Sequence, residues 1–283
     1  MQKKLTAQGP KNRKSYTVTL PIEWVKEQRL DKTRSVDMEI VGNKIVFSAN
    51  AKRQECIVIL EKEYKHTLVK VLQGLYRLGI SEIKIMCQAD AYRRSVTEII
   101  EQRLIGCEIV EQKPEYILVQ DITTESKEDF QVILRRIFLL LLEYREAKDL
   151  TQAQSLDRSI KKFCNYSQRT LMKQGHSEYN KVPIYYLLID RMEKLSDEIL
   201  WFFQSKSQNV LVHKVYDLLR NAYDVYYKFS NERCDTFSTA SFDFKNSIKE
   251  KKNIDIPLMH LHNIARIINS MYGDIYVLRF DGD

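Results

Sequence analysis

The chain has 283 residues, 44% of them apolar, with eight glycines, five prolines and a net charge of +7. That length implies two or three domains, while so little Gly and Pro argues for helix, against an all-β sandwich, and leaves scant material for a phosphate-cradling loop. Residues 1–54 hold twelve Lys or Arg against five Asp or Glu and the remainder is balanced at 33 of each, so the whole cationic excess lies in the first fifth of the chain, where it attracts a polyanion, nucleic acid first.

In chain order, KKLTA (3–7) reads as a weak strand. A basic loop follows, with Lys11, Arg13 and Lys14 running directly into an alternating segment. Tyr16, Val18 and Leu20 point one way and Ser15, Thr17 and Thr19 the other, the pattern of a half-buried strand over 15–20. Pro21 cannot donate a ladder hydrogen bond but fits the first turn of a helix. Glu23 suits the positive end of that helix, and Trp24 and Val25 give it an apolar side that ends near Leu30. VDMEIVGNKIVF (36–47) reads as a hairpin turning at Gly42-Asn43. About 50 residues with so few large apolar side chains cannot bury enough surface alone. A second copy of the same segment is the simplest source of the missing core.

KSYTVTLPIEWV followed by VDMEIVGNKIVF resembles the SpoVT/AbrB family of DNA-binding domains. The family pattern S-x-x-V-T-L-P-x-x-W is met by Ser15, Val18, Thr19, Leu20, Pro21 and Trp24. Where the family carries Gly-Asp before the third strand, this chain has Thr33-Arg34-Ser35, so the turn there must be made differently. The resemblance implies a homodimer in which two chains interlace their hairpins into one swapped barrel over residues 1–52. It also implies that Lys3, Lys4, Lys11, Arg13 and Lys14 contact double-stranded DNA, the lysines as point charges on phosphates and Arg13 within reach of a base edge.

Residues 53–125 alternate element types. CIVIL (56–60) is a strand, 64–79 an amphipathic helix ended by Gly79, EIKIMC (82–87) a strand and 91–104 a helix. Residues 107–122 make two strands around Lys113-Pro114. This β-α-β-α-β-β order defines a small α+β middle domain. From 126 to 283 the apolar spacing is helical, predicting helices near 126–148, 150–174, 183–206, 208–230 and 256–280 in an antiparallel bundle. The polar stretch 230–253, low in aliphatic residues, reads as a long loop. The fold class is thus multidomain α+β.

RLIGCEIVEQ (103–112), the Arg135-Arg136 helix and SLDRSIKKFCNYSQR (155–169) resemble archaeal-type PhoU proteins, which commonly carry an AbrB-like segment in front. Ser155-Leu156-Asp157-Arg158-Ser159 stands where that family has E-V-D-R-L, and Asp190-Arg191-Met192-Glu193-Lys194 where it has E-R-I-x-D. The resemblance implies a phosphate-signalling regulator whose bundle senses or docks on a partner protein, and some of its members bind metal clusters through acidic pairs. Here Ser155 and Lys194 replace two of those acids, and Asp190 with Lys194 at i, i+4 makes a salt bridge more readily than a metal site. No metal or cofactor is expected.

No HExxH, Walker A, GxSxG or Cys-His zinc spacing occurs, so no enzyme is expected. His260 and His262, at i and i+2, diverge on a helix and read as unrelated. Tyr216, Tyr223 and Tyr227 share one helix face and read as packing rather than base stacking. The five cysteines lack any CxxC pair and read as buried or partly buried thiols of a reducing cytoplasm. VILRRIFLLLL (132–142) is interrupted by Arg135 and Arg136 and falls short of the roughly 18 apolar residues that cross a bilayer. The N-terminus lacks the apolar core of a secretory signal. The expectation is a cytoplasmic transcriptional regulator, with a signalling adaptor for a transporter or kinase, its barrel serving only to dimerise, as the alternative.

Overall fold

The computed structural model describes residues 4–10, 14–41, 44–48, 55–59, 65–123, 130–176, 178–207, 209–249, 251 and 255–280. Among the described residues the fold is mixed α+β and 67% helical, with small sheets and a helical C-terminal region. The chain divides into two compact units, Met1–Lys52 and Arg53–Asp283.

The first unit holds two separate antiparallel ribbons, β1 (Thr6–Gln8) with β2 (Ser15–Thr17) and β3 (Asp37–Val41) with β4 (Lys44–Ser48). Between them lie two short helices, α1 (Ile22–Glu27) and α2 (Leu30–Thr33). The expected single helix is broken because Arg29 takes a left-handed backbone conformation, φ 55°. The ribbons do not close into a barrel among the described residues. The Gly42-Asn43 turn lies outside them.

The second unit opens with a four-stranded sheet in the order β5-β6-β8-β7. Strand β5 (Glu55–Ile59) runs parallel to β6 (Glu82–Met86) across helix α3 (Lys65–Arg77). Helix α4 (Ala89–Arg103) leads to the hairpin of β7 (Cys107–Lys113) and β8 (Tyr116–Asp121), with a bulge between Ile109 and Glu111. Leu68, Leu72 and Tyr76 of α3 and Val96, Ile99 and Ile100 of α4 bury against Ile83, Ile85, Ile117 and Val119 of the sheet. The two helices therefore cover one face, which is the face the period-two pattern makes apolar.

Among the described residues six α-helices follow: α5 (Phe130–Glu143), α6 (Leu150–Gln174), α7 (Val182–Gln204), α8 (Val212–Tyr227), α9 (Asn231–Lys249) and α10 (Ile256–Arg279). Helix α6 starts where Asp149 accepts from the Gln152 amide at 2.9 Å and the Gln152 side chain accepts from Lys148 N–H at 3.0 Å, a reciprocal cap. Helix α10 starts with Asp255 accepting from the Leu258 amide at 2.8 Å and has Pro257 in its first turn. Contact pairs set helix direction. Asp157 of α6 meets Ser196 of α7 while Arg77 bridges Asn165 of α6 to Glu193 of α7, so these two run antiparallel. Arg191 with Asp274, and Glu198 with His260, set α7 antiparallel to α10. Phe237 on Tyr272 and Ser241 on Asn269 do the same for α9 and α10.

Helix α9 corrects the loop expected at 230–253. Its aliphatic content is low, but Cys234, Phe237, Phe244 and Ile248 still fall on one face and are buried. Its small polar residues do not unravel it. Thr236, Ser238 and Ser247 each donate to the carbonyl four residues back, at 2.8, 2.9 and 2.9 Å, instead of competing for a turn.

The α+β section and the helices keep distinct apolar clusters, and α6 belongs to both. Ile160, Cys164 and Leu171 of α6 lie in the helical core, while its Tyr166 packs on the sheet cluster. Of the five cysteines, all free, Cys107, Cys164 and Cys234 are buried and Cys56 and Cys87 partly so. No helix among the described residues is long and apolar enough to cross a membrane.

Candidate nucleic-acid interface

The ladder of β1 and β2 sets Thr6 opposite Thr17, Ala7 opposite Tyr16 and Gln8 opposite Ser15. The Ser15 and Thr17 hydroxyls donate across the ribbon to the Gln8 and Thr6 carbonyls, at 3.3 and 3.2 Å. Extending that register puts Lys14 at the level of Gly9 and Lys4 at the level of Thr19. The two lysines therefore stand at opposite ends of the ribbon, about 16 Å apart along the strands. Both are exposed. Lys3, Lys11 and Arg13, expected beside them, lie outside the described residues.

A second cationic group sits around α2, and the sequence reading did not single it out. Arg29 precedes the helix, Lys32 lies within it and Arg34 follows it, all exposed. Both arginines are left-handed, at φ 55° and 51°. Arg34 N–H donates to the Leu30 carbonyl at 2.8 Å, which closes the helix in the way glycine usually does. This is how the turn at Thr33-Arg34-Ser35 is made, at a cost of about 1 kcal/mol for a residue with a Cβ. Among the described residues, none of Lys4, Lys14, Arg29, Lys32 or Arg34 is engaged in an ion pair. The only signal for the group in the sequence is the excess of basic residues.

The same unit leaves its apolar side chains uncovered. Leu30 is the only buried apolar residue among the described ones of this unit, whereas Leu5, Tyr16, Ile22, Met38, Ile40 and Ile45 are each more than half exposed. The strand over 15–20 was expected to be half-buried, but within one chain Tyr16 and Val18 face solvent.

The acidic motifs of the second unit are taken up by lysines. Asp157 is buried, receives Lys161 Nζ at 2.7 Å and accepts from the Ser196 hydroxyl at 2.9 Å. Lys161 also meets Asp197 at 2.6 Å, and Ser196 lies 2.8 Å from the Tyr144 hydroxyl. Asp190 pairs with Lys194 at 2.5 Å, as the i, i+4 spacing implied. No group of three His, Cys, Asp or Glu suited to a metal ion occurs among the described residues. His260 is 2.9 Å from Glu198 on the seam of α7 and α10, and His262 is exposed. Tyr216 and Tyr226 are buried in the helical core, with Tyr223 and Tyr227 packed against it. An open groove of about 870 Å³ runs between α4 and β7. Burial pushes its one thiol, Cys107, up to about 12, so that thiol is no nucleophile at neutral pH.

Comparison with family models, with curated proteins and with solved structures finds no match to this chain.

Proposed function

We propose that the protein is a dimeric, non-catalytic, cytoplasmic DNA-binding regulator of transcription. The first 52 residues of two copies complete one swapped-hairpin barrel and turn their cations to duplex DNA. One combination carries this reading: a small unit whose apolar strand residues are uncovered, from Leu5 to Ile45, and whose cations at Lys4, Lys14, Arg29, Lys32 and Arg34 lack ion-pair partners among the described residues. Uncovered apolar strands call for a partner surface. A two-fold pair then presents each cationic group twice, which suits a pseudo-palindromic or shape-selected site.

The helices act as a PhoU-like sensor or docking body, and the link to phosphate uptake rests on the resemblance alone. An effector alters DNA binding here only by preferring one arrangement of the two cationic sets. The rival adaptor reading leaves the unpaired cations of the first unit without a role, so DNA is preferred.

Sedimentation of the full chain, followed by titration with duplex DNA at several salt concentrations, tests the reading. A dimer whose affinity falls steeply with salt is expected. A monomer, or binding indifferent to salt, overturns it.

A further inference from the structure

The aromatic cluster at the end of α8 is ringed by arginines from three helices. Arg135 of α5 lies 5.7 Å from the centre of the Tyr227 ring, Arg220 of α8 lies 5.6 Å from that of Tyr223, and Arg279 of α10 lies 5.8 Å from that of Tyr226. The rings touch one another, with Tyr223 and Tyr226 centred 4.7 and 4.8 Å from Tyr227, and Phe138 packs against all three. All three arginines are exposed. Arg77, Arg145, Arg169 and Arg191 of the same unit each meet a carboxylate, but these three meet none among the described residues. The Tyr227 hydroxyl, close enough to feel both Arg135 and Arg279, is buried and has no hydrogen-bond partner among the described residues.

A guanidinium resting on a ring has little freedom left to lose and keeps its N–H edge for a carboxylate fork. Apolar side chains flank the arginines. Val132 and Leu139 share the face of α5 that carries Arg135, and Phe280, stacked on Tyr276 at 5.4 Å, follows Arg279; all three are exposed. Exposed arginines laid on buried and part-buried tyrosines, beside uncovered apolar residues, have the composition of an interface hot spot.

We propose that this surface docks an acidic amphipathic segment of another protein. Its carboxylates pair with Arg135, Arg220 and Arg279, and its apolar side chains cover Val132, Leu139 and Phe280. The unmatched positive charge selects an acidic partner. The apolar flank selects protein over nucleic acid, whose backbone offers nothing to cover it, and the tyrosine faces already carry guanidinium groups where bases would stack. The surface lies within the second unit, so it stands independently of how the first unit binds.

The full-length protein is titrated with a labelled peptide of repeated Glu-Glu-Leu-Leu and with its Gln-Gln-Leu-Leu counterpart, read by fluorescence anisotropy. Saturable binding of the Glu peptide is expected, about tenfold tighter than that of the Gln peptide. Arg220→Gln and Arg279→Gln each weaken it about fivefold, with Arg279→Lys falling in between. Absence of saturable binding, equal affinity for the two peptides, or no loss in a folded double variant overturns the proposal. The comparison of peptides needs only the unaltered protein and decides the matter even where a variant does not fold. Displacement of the peptide by duplex DNA, together with weaker DNA binding by the same variants, would assign the surface to nucleic acid instead.

Discussion

Arg169 of α6 donates to the Asp121 carboxylate at 2.5 Å, and both side chains are almost wholly buried. The same guanidinium donates to the Tyr76 and Ile80 carbonyls at 2.7 and 2.9 Å and lies 4.6 Å from the centre of the Tyr76 ring. It thereby joins the helices to the end of α3 and the end of β8. Arg169→Met keeps much of the volume but strands a buried carboxylate and two carbonyls. A loss of about 3–5 kcal/mol is expected in urea denaturation, partly recovered when Asp121→Asn is added. A loss below about 1 kcal/mol would mean that the guanidinium merely fills space.

The pH dependence should carry two opposed contributions. Burial pushes the Asp121 carboxyl up, but the bonds from Thr123 and Arg169 outweigh it and hold the group below the usual carboxylate range. Its stabilisation is present above the unfolded value of about 3.9 and is lost as pH falls through the lower folded value. Glu193 behaves in the opposite sense: burial raises it and Arg77 only partly offsets this. Ionised Glu193 therefore costs stability at neutral pH, and that cost fades as pH falls through its folded value. Urea midpoints taken across pH 7 to pH 3 should fall less in acid for Asp121→Asn and more for Glu193→Gln than for the unaltered chain. Parallel curves for all three proteins would contradict both assignments.

Lys161 places one ammonium between Asp157 and Asp197, at 2.7 and 2.6 Å. An intrinsic cation already occupies the space an ion would need. Elemental analysis of the purified protein should find no stoichiometric iron or zinc. Lys161→Met leaves Asp157 buried without its counter-charge and should cost about 3 kcal/mol, seen as a lower unfolding midpoint.

Two glycines should respond in opposite directions. At Gly106, φ is +79° and a Cβ would stand 2.2 Å from the Thr123 methyl group, so Gly106→Ala should destabilise by about 2 kcal/mol or more. Gly74 lies inside α3 with nothing within 4 Å of a built Cβ, so Gly74→Ala should stabilise by about 0.5–1 kcal/mol. Thermal melts of the two variants check both signs.

For DNA binding, Arg13→Ala with Lys14→Ala removes two cations per chain and four from the proposed dimer. If each contacts a phosphate, the slope of log affinity against log salt should shrink by about 4. Lys14→Ala alone should leave the unfolding midpoint nearly unchanged, because Lys14 is exposed. An unaltered slope would remove these residues from the interface.

Element types were legible wherever the apolar period was strong. Helix α6 runs from Leu150 to Gln174, the predicted 150–174, and the β-α-β-α-β-β order of the sheet section was read from alternating periods. Helix α9 was missed because one apolar residue per turn, set among Ser, Thr, Asp and Asn, gives a weak signal. What covers its apolar face includes a residue far along the chain, Tyr272, on which Phe237 stacks at 4.1 Å, 35 positions away. The cations around α2 were invisible as a site because left-handed backbone at Arg29 and Arg34 is not encoded by any usual turn residue. The Arg135, Arg220 and Arg279 surface draws on three helices, and no local pattern could bring them together.

Helix α6 serves two hydrophobic interiors at once, its Ile160 and Cys164 turned into one and its Tyr166 into the other, with Arg169 and Asn165 bonded across the join. A shared beam of this kind removes the option of independent adjustment. While those bonds hold, a shift of α6 along its axis would pull on the end of α3 and on the rim of the sheet. A movement of the helices would thus reach the sheet as displacement, much as a crankshaft passes motion, and not as local softening.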